Sequence, residues 1–215
     1  MSDVTVHGIP GSPYMRAVLM GLEEKSVPYR LNRMGPAESK QPAHLARHPF
    51  GRVPAFEHGD FSLYETQAIL RYIDTVFPGI ALRPADPRAA ARMDQMIGIV
   101  DWYFFRDVSA TIGFNRVVAP AFGMPVDEGA VSAAIPKAKI CFAEIARLLG
   151  DKPYLACDTM TIADLMLVPH MEFISIAPEG DSLFAPYPGL TGWLARMRER
   201  PSMRATTWEK LRQAA

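Results

Sequence analysis

The stretch Phe50-Gly51-Arg52-Val53-Pro54-Ala55-Phe56 constrains this chain more than any other. Ala55-Phe56-Glu57 and Phe61-Ser62-Leu63 read as two strands joined through His58-Gly59-Asp60, a hairpin. Proline has no N–H to give to a sheet, so Pro54, at the mouth of the first strand, belongs at a sheet edge or a special turn. If the Val53-Pro54 bond is cis, the Val53 N–H and C=O face outward and can pair with the backbone of a bound molecule. The plainer reading is an ordinary edge-strand proline.

The rest of the first third alternates strands with helices. Val4-Thr5-Val6 reads as a strand, ended by Gly8, Pro10 and Gly11. Met15, Val18, Leu19 and Leu22 then mark one face of a helix, and Tyr29-Arg30-Leu31 a second strand. That order implies a parallel crossover. After the hairpin, Ile69, Ile73, Val76 and Phe77 give another helix, stopped by Pro78-Gly79. Leu82-Arg83-Pro84-Ala85-Asp86-Pro87, with two prolines and little to bury, reads as a linker. Beyond it the spacing is helical: Ala138, Cys141, Ile145, Leu148 and Leu149; Ile162, Leu165 and Met166; Leu190, Trp193, Leu194 and Met197. Gly113 to Pro125, rich in Gly and Pro, reads as a loop or broken helix. The expected architecture is a small α/β domain over residues 1–80, a linker over 81–88 and an all-α domain over 89–215.

Charge and composition narrow the function. Lys and Arg number 23 against 23 Asp and Glu, so nothing favours nucleic acid as a partner. The start lacks the basic-then-apolar run of a secretory signal, and no stretch reaches the roughly 20 apolar residues that span a bilayer. The two cysteines, Cys141 and Cys157, are too few for a disulfide framework and lack CxxC spacing. A reduced, cytoplasmic setting with no membrane partner is the expectation. Twelve methionines suit adaptable packing or adaptable apolar binding surfaces.

Four motifs bear on chemistry. Gly8-Ile9-Pro10-Gly11-Ser12-Pro13-Tyr14 forms a strand-to-helix turn, where backbone N–H groups and the positive end of a helix favour an anion. Ser12 adds a hydroxyl there, or simply caps the helix with Pro13 in its first turn. The Val53-Pro54 edge is the second. In the third, Tyr64-Glu65-Thr66, Thr66 can hold a carboxylate and Glu65 an ammonium, which together suit an α-amino acid; the bland alternative is a cap with a favourable acid. Thr161-Ile162-Ala163-Asp164 is a capping-box-like start to a buried helix and is structural. His44 and His48 have the i, i+4 spacing of a metal pair, but Pro49 follows and no third ligand is evident, so no metal is expected. His170 reads as a core residue.

Taken in this order, the four motifs resemble the glutathione transferases across nearly the whole chain. The stretch from His48 through Ile69 is the most specific part; Tyr154-Leu155-Ala156 with Thr161–Leu165, and Pro188-Gly189-Leu190 through Trp193 with Arg200-Pro201, resemble the second-domain signatures. Ser12 ahead of Arg16 and Val18 is most similar to the serine-type phi and related bacterial classes. The resemblance implies a thioredoxin-like domain joined to a helical domain, glutathione as co-substrate, and a homodimer with Phe50 as anchor. It implies that Ser12 bonds the glutathione sulfur, that the Val53 backbone beside Pro54 pairs with the cysteinyl unit, and that Glu65 and Thr66 hold the γ-glutamyl end. Arg52 and Lys40 would meet the glycyl carboxylate. Thr66 stands for the usual Ser, Arg52 for Lys or Gln, His48 for Asn, and Ser39 where phi enzymes often carry a histidine.

The energetics suffice. Lowering a thiol pKa by about two units takes ~2.7 kcal/mol. One hydrogen bond to a charged group supplies ~1.5–3 kcal/mol, and a helix N-terminus ~0.3–1 more. The thiolate then attacks a small hydrophobic electrophile, whose pocket is expected between the domains, with Tyr14, Trp102, Tyr103, Phe105, Phe114, Phe122 and Met124 as candidate walls. The Tyr14 hydroxyl is the alternative sulfur donor. Glutathione-dependent reduction of peroxides or disulfides, and a non-catalytic carrier or assembly module of the same fold, are the competing functions.

Overall fold

The computed structural model describes residues 3–213. They fall into two compact units. One takes the described residues up to Arg83 together with those from Arg198 onward; the other takes Pro84–Met197.

The first unit is built on a four-stranded sheet of order β2-β1-β3-β4. Strand β1 (Val4–Gly8) leads into α1 (Pro13–Glu24), and β2 (Arg30–Arg33) returns parallel to β1, with Val6 opposite Leu31. The crossover is the expected one, with the second strand shifted one residue on from Tyr29. After the short α2 (Pro42–Leu45), β3 (Ala55–His58) and β4 (Phe61–Tyr64) form the hairpin, and β3 runs antiparallel to β1. Helix α3 (Thr66–Val76) follows.

Alternation along β1 divides the sheet. Val4 and Val6 face the core with Phe56, the α1 stripe Met15, Val18, Leu19 and Leu22, and Ile69 and Ile73 of α3. The other face is polar and closely bonded. His7 Nε2 lies 2.9 Å from Glu57, the Asn32 amide 2.8 Å from His7 Nδ1, and Arg47 Nε donates to Glu57 at 2.8 Å. Arg47 also donates to the Ala43 carbonyl, so this network fastens α2 to the sheet. Burial is the largest influence on His7 and lowers its pKa, although Glu57 pulls the other way.

Residues from Arg198 onward, assigned to the helical domain by the sequence reading, pack instead on the α/β unit. Its last two helices are α10 (Pro201–Ala205) and α11 (Trp208–Gln213). Arg200 and Ser202 bond Glu24, the carbonyl of Met203 accepts from Arg16, and Leu211 enters the core of that unit.

The second unit is helical. Asp86 caps α4 (Pro87–Ile99) by accepting from Ala89 N–H at 2.8 Å. The helix continues without a break as a wider, π-type helix over Val100–Val118. Its buried residues are Val100, Phe104, Val108, Ser109, Ile112, Gly113 and Asn115. The expected loop or break at Gly113 is therefore displaced: helix persists to Val118, α5 (Ala119–Ala121) adds one turn, and irregular chain begins at Phe122. Arg116 braces this end, bonding Glu128 at the start of α6 (Glu128–Leu149) and also Glu179. Helices α7 (Ile162–Ser175), α8 (Gly180–Phe184) and α9 (Pro188–Arg198) complete the unit.

The Thr161–Asp164 motif has the structural role expected of it. Asp164, fully buried, accepts from the Thr161 N–H and hydroxyl, the Leu155 N–H and the Trp193 indole N–H. Among the described residues no helix is long and apolar enough to cross a membrane.

Candidate functional site

The site is assembled on the α/β unit from three chain segments. At the first, β1 turns into α1 through Gly11 in the left-handed region (φ 91°), and the Ser12 N–H donates to Ile9 O at 2.9 Å. Ser12 is the N-cap of α1, its Oγ accepting from Met15 N–H at 3.4 Å, and Pro13 occupies the first helical position. The capping role is thus real, but it uses Oγ only as an acceptor. A hydroxyl has one proton and two lone pairs, so the same group can donate outward. Tyr14 sits half-buried one residue into the helix.

The second segment runs from Glu38 to Ala55. The Val53-Pro54 bond is cis and Pro54 is buried. The β3 register against β1 and β4 starts at Ala55, so Val53 stands ahead of the ladder. Its neighbour is held in place by His44, whose Nε2 lies 2.7 Å from the carbonyl of Arg52. Sequence reasoning weighed His44 only as half of a metal pair with His48. The i, i+4 spacing instead stacks the two rings, 6.2 Å between centroids, and directs His44 to a carbonyl eight residues on. Among the described residues no group of three or more His, Cys, Asp or Glu could hold a metal ion. Lys40 lies across Gly51, donating to its carbonyl at 2.8 Å; Gly51 has φ 58°, and a Cβ there would meet Lys40 Nζ at 2.9 Å. The Arg52 side chain is exposed. Ser39, where phi enzymes often carry a histidine, is buried and turned inward onto Pro36 O.

The third segment is the entry to α3. Glu65 occupies the N-cap position with φ 71°, a region that costs a non-glycine residue about 1–3 kcal/mol and that clusters at functional sites. Its side chain makes no capping bond and is exposed, while Thr66 is the first helical residue and is buried. The bland reading, Thr66 as a cap, is therefore not what the chain does: the cap position falls to Glu65, whose side chain makes no bond to the helix end. His48 links the second and third segments. Its ring packs 4.7 Å from that of Tyr64, and its charge feels both Glu65 and Arg52, although burial dominates and lowers its pKa.

The candidate electrophile residues other than Tyr14 lie on the helical unit. Trp102, Tyr103, Phe114, Phe122 and Met124 are exposed, whereas Phe105 is half-buried with its ring 5.9 Å from that of His170.

Comparison with known proteins gives this geometry its family. Residues 2–75 match the profile of the glutathione S-transferase N-terminal domain, and residues 128–196 that of the C-terminal domain. Glutathione S-transferase F6 of Arabidopsis thaliana is 30% identical over 204 residues, covering 94% of this chain and 98% of that protein. A glutathione S-transferase of Hyoscyamus muticus is 32% identical, covering 92% and 94%. The chain belongs to the glutathione S-transferase family. Its activity is glutathione transfer. Among solved structures, glutathione transferase F2 of Populus trichocarpa superposes with a TM-score of 0.88 at 28% identity, over 99% of this chain and all of that one. Glutathione S-transferase-I bound with lactoylglutathione gives 0.83 at 28% identity, over 95% and 98%.

Proposed function

We propose that this glutathione transferase activates the thiol of glutathione through the Ser12 hydroxyl and adds the resulting thiolate to small hydrophobic electrophiles. The observation that carries the reading is the Ser12 cap: Oγ accepts from Met15 N–H at 3.4 Å, so the cap leaves the hydroxyl proton available for donation, at the positive end of α1. An anion in front of that hydroxyl receives one charge-assisted bond and the field of α1 together.

The remaining contacts follow from donor and acceptor chemistry. The Val53 N–H and C=O, ahead of the β3 ladder, pair with the cysteinyl backbone. Glu65, held outward by its left-handed backbone, takes the γ-glutamyl ammonium, and Thr66 its carboxylate. Arg52 and Lys40 meet the glycyl carboxylate; Lys40 gives one N–H to Gly51 O and has two more to offer. Tyr14, and on the helical unit Trp102, Tyr103, Phe105, Phe114, Phe122 and Met124, are the candidates for apolar surface toward the electrophile. The reading includes a homodimer anchored by Phe50 and a cytoplasmic location.

The test is the ultraviolet absorbance of the bound thiolate titrated against pH. In the native protein the midpoint falls near pH 6.5, about two units below a free thiol. Ser12→Ala raises it by about one to two units, the loss of a hydrogen bond worth ~1.5–3 kcal/mol to a charged group. A midpoint unmoved by Ser12→Ala transfers the role to Tyr14 or the backbone. No glutathione binding at all sinks the reading.

A further inference from the structure

The segment after Arg198 runs back along α1 and bonds it at two places, Glu24 at its C-terminal end and Arg16 near its start. At the C-terminal end of α1, Glu24 receives Arg200 through two bonds of 2.6 Å and Ser202 through one of 2.5 Å. One helical stretch earlier, buried Arg16 donates to Met203 O at 3.1 Å and to Thr206 Oγ1 at 3.4 Å. Thr206 is fully buried and donates to Ser202 O at 2.8 Å, which fixes the direction in which the chain leaves α10. Trp208 comes next, at the level of the β1–α1 turn.

There the indole lies directly on Gly11. A Cβ built on Gly11 would stand 1.4 Å from Trp208 Cζ3 and 1.8 Å from Cε3, so the six-membered ring occupies the space that any side chain at that position would need. Gly11 has φ 91° and immediately precedes Ser12. The cap bond that holds Ser12 Oγ is long, at 3.4 Å, and supplies little restraint by itself. The height of the hydroxyl above α1 is then set by the backbone of the turn, which the Ser12 N–H to Ile9 O and Arg16 N–H to Ser12 O bonds, both 2.9 Å, hold from within and which the Trp208 ring covers at Gly11.

We propose that Trp208 is a positioning residue for Ser12: the ring holds the Gly11–Ser12 turn at the level from which the hydroxyl meets the glutathione sulfur. The proposal rests on the reading of Ser12 given above. Trp208 acts through Gly11 rather than by touching the reacting atoms. Misplacement of a catalytic group by about 1 Å can cost as much as 100-fold in rate, so a loose turn would show in the chemistry before it showed in glutathione affinity.

The experiment uses the full chain and compares Ser12→Ala, Trp208→Ala, Trp208→Phe, Gly11→Ala and the double variant Gly11→Ala/Trp208→Ala. The readouts are the midpoint of the bound thiolate, kcat and KM with an activated aryl chloride, and the melting temperature. Trp208→Ala is expected to raise the thiolate midpoint by about one pH unit, a tenfold loss of thiolate at pH values below both midpoints. KM for glutathione is expected to stay within about threefold, and Trp208→Phe to bring the midpoint back to within about 0.3 unit, because a flat ring again covers Gly11. Gly11→Ala is expected to raise the midpoint as well, since its methyl meets the ring and the φ of 91° strains any side chain there; the double variant keeps that strain and is expected to recover little of kcat. Should Trp208→Ala fail to fold, Trp208→Leu, which keeps apolar cover without the plate, carries the same comparison. A midpoint that moves in Ser12→Ala but not in Trp208→Ala or Trp208→Leu overturns the proposal and leaves Trp208 a packing residue. A midpoint unmoved by Ser12→Ala overturns the serine reading, and this proposal with it.

Discussion

Removing the carboxylate of Asp164 is expected to be among the most costly single changes to the helical unit. Four donors converge on it with no solvent nearby: Oδ1 accepts from Leu155 N–H at 2.9 Å and Trp193 Nε1–H at 2.8 Å, and Oδ2 from Thr161 N–H at 2.8 Å and the Thr161 hydroxyl at 2.9 Å. Burial raises the pKa of this carboxyl, and the four hydrogen bonds oppose that rise. In Asp164→Ala the Thr161 hydroxyl can turn to another acceptor, but the three N–H donors keep their directions. Each stranded buried donor costs ~1–3 kcal/mol, so the substitution is expected to cost about 4 kcal/mol after the surroundings relax. Asp164→Asn keeps one oxygen for Leu155 and Trp193 and places its NH2 against Thr161, where the hydroxyl can rotate to accept and one N–H is stranded. Its cost should be about 1–3 kcal/mol. Urea unfolding followed by circular dichroism measures both, with Trp193 emission as a local probe. A loss below about 1 kcal/mol in Asp164→Ala would refute the convergence argument. So would a harmless Asp164→Asn, since it would mean that the carboxyl is held neutral.

Two further expectations concern acid and assembly. Burial lowers the His170 pKa from 6.5 to about 3, so the folded state keeps the ring neutral while the unfolded chain takes up a proton as pH falls through 6.5. The stability this confers is complete above pH 6.5 and is lost toward pH 3 at about 1.4 kcal/mol per pH unit; His170→Asn should remove one proton from the slope measured by urea midpoints between pH 6.5 and 4, and an unchanged slope would refute the assignment. Phe50 is 67% exposed, with its ring 6.2 Å from those of His48 and Tyr64. Phe50→Ala is expected to weaken self-association at least about tenfold in sedimentation at low concentration, as loss of an interface anchor does, and an unchanged dimer would remove it from that role.

Short-range chemistry was legible and long-range packing was not. The strand–helix–strand order, the hairpin around Gly59 and the Asp164 cap all rest on residues within a turn or two of one another, and each appears in the structure as read. The Val53-Pro54 edge was legible as a position, and the bond there is cis. Helix after the linker was expected, but its extension through Gly113 to Val118 was not, because the Gly and Pro residues from Gly113 to Pro125 read locally as breakers. Glu65 escaped as the cap of α3 because its left-handed backbone carries no glycine to announce it. The role of His44 was not legible: i, i+4 histidines share a helix face, but which partner that face meets depends on where the Arg52 carbonyl folds back. The contacts of Arg16 and Glu24 with residues beyond Arg198 bridge about 180 positions, and nothing local marks either end.

Those contacts also bear on how the enzyme comes into being. Synthesis delivers α1 early, yet the groups that bond the Arg16 guanidinium and the Glu24 carboxylate lie on the far side of Pro84–Met197. A nascent chain that has released only its sheet and first three helices holds α1 without these partners, its core short of Leu211 and its serine turn bare of the indole. Domains usually fold as units in the order in which they leave the ribosome. Here the glutathione half begins first and finishes after the half that is made between its two pieces.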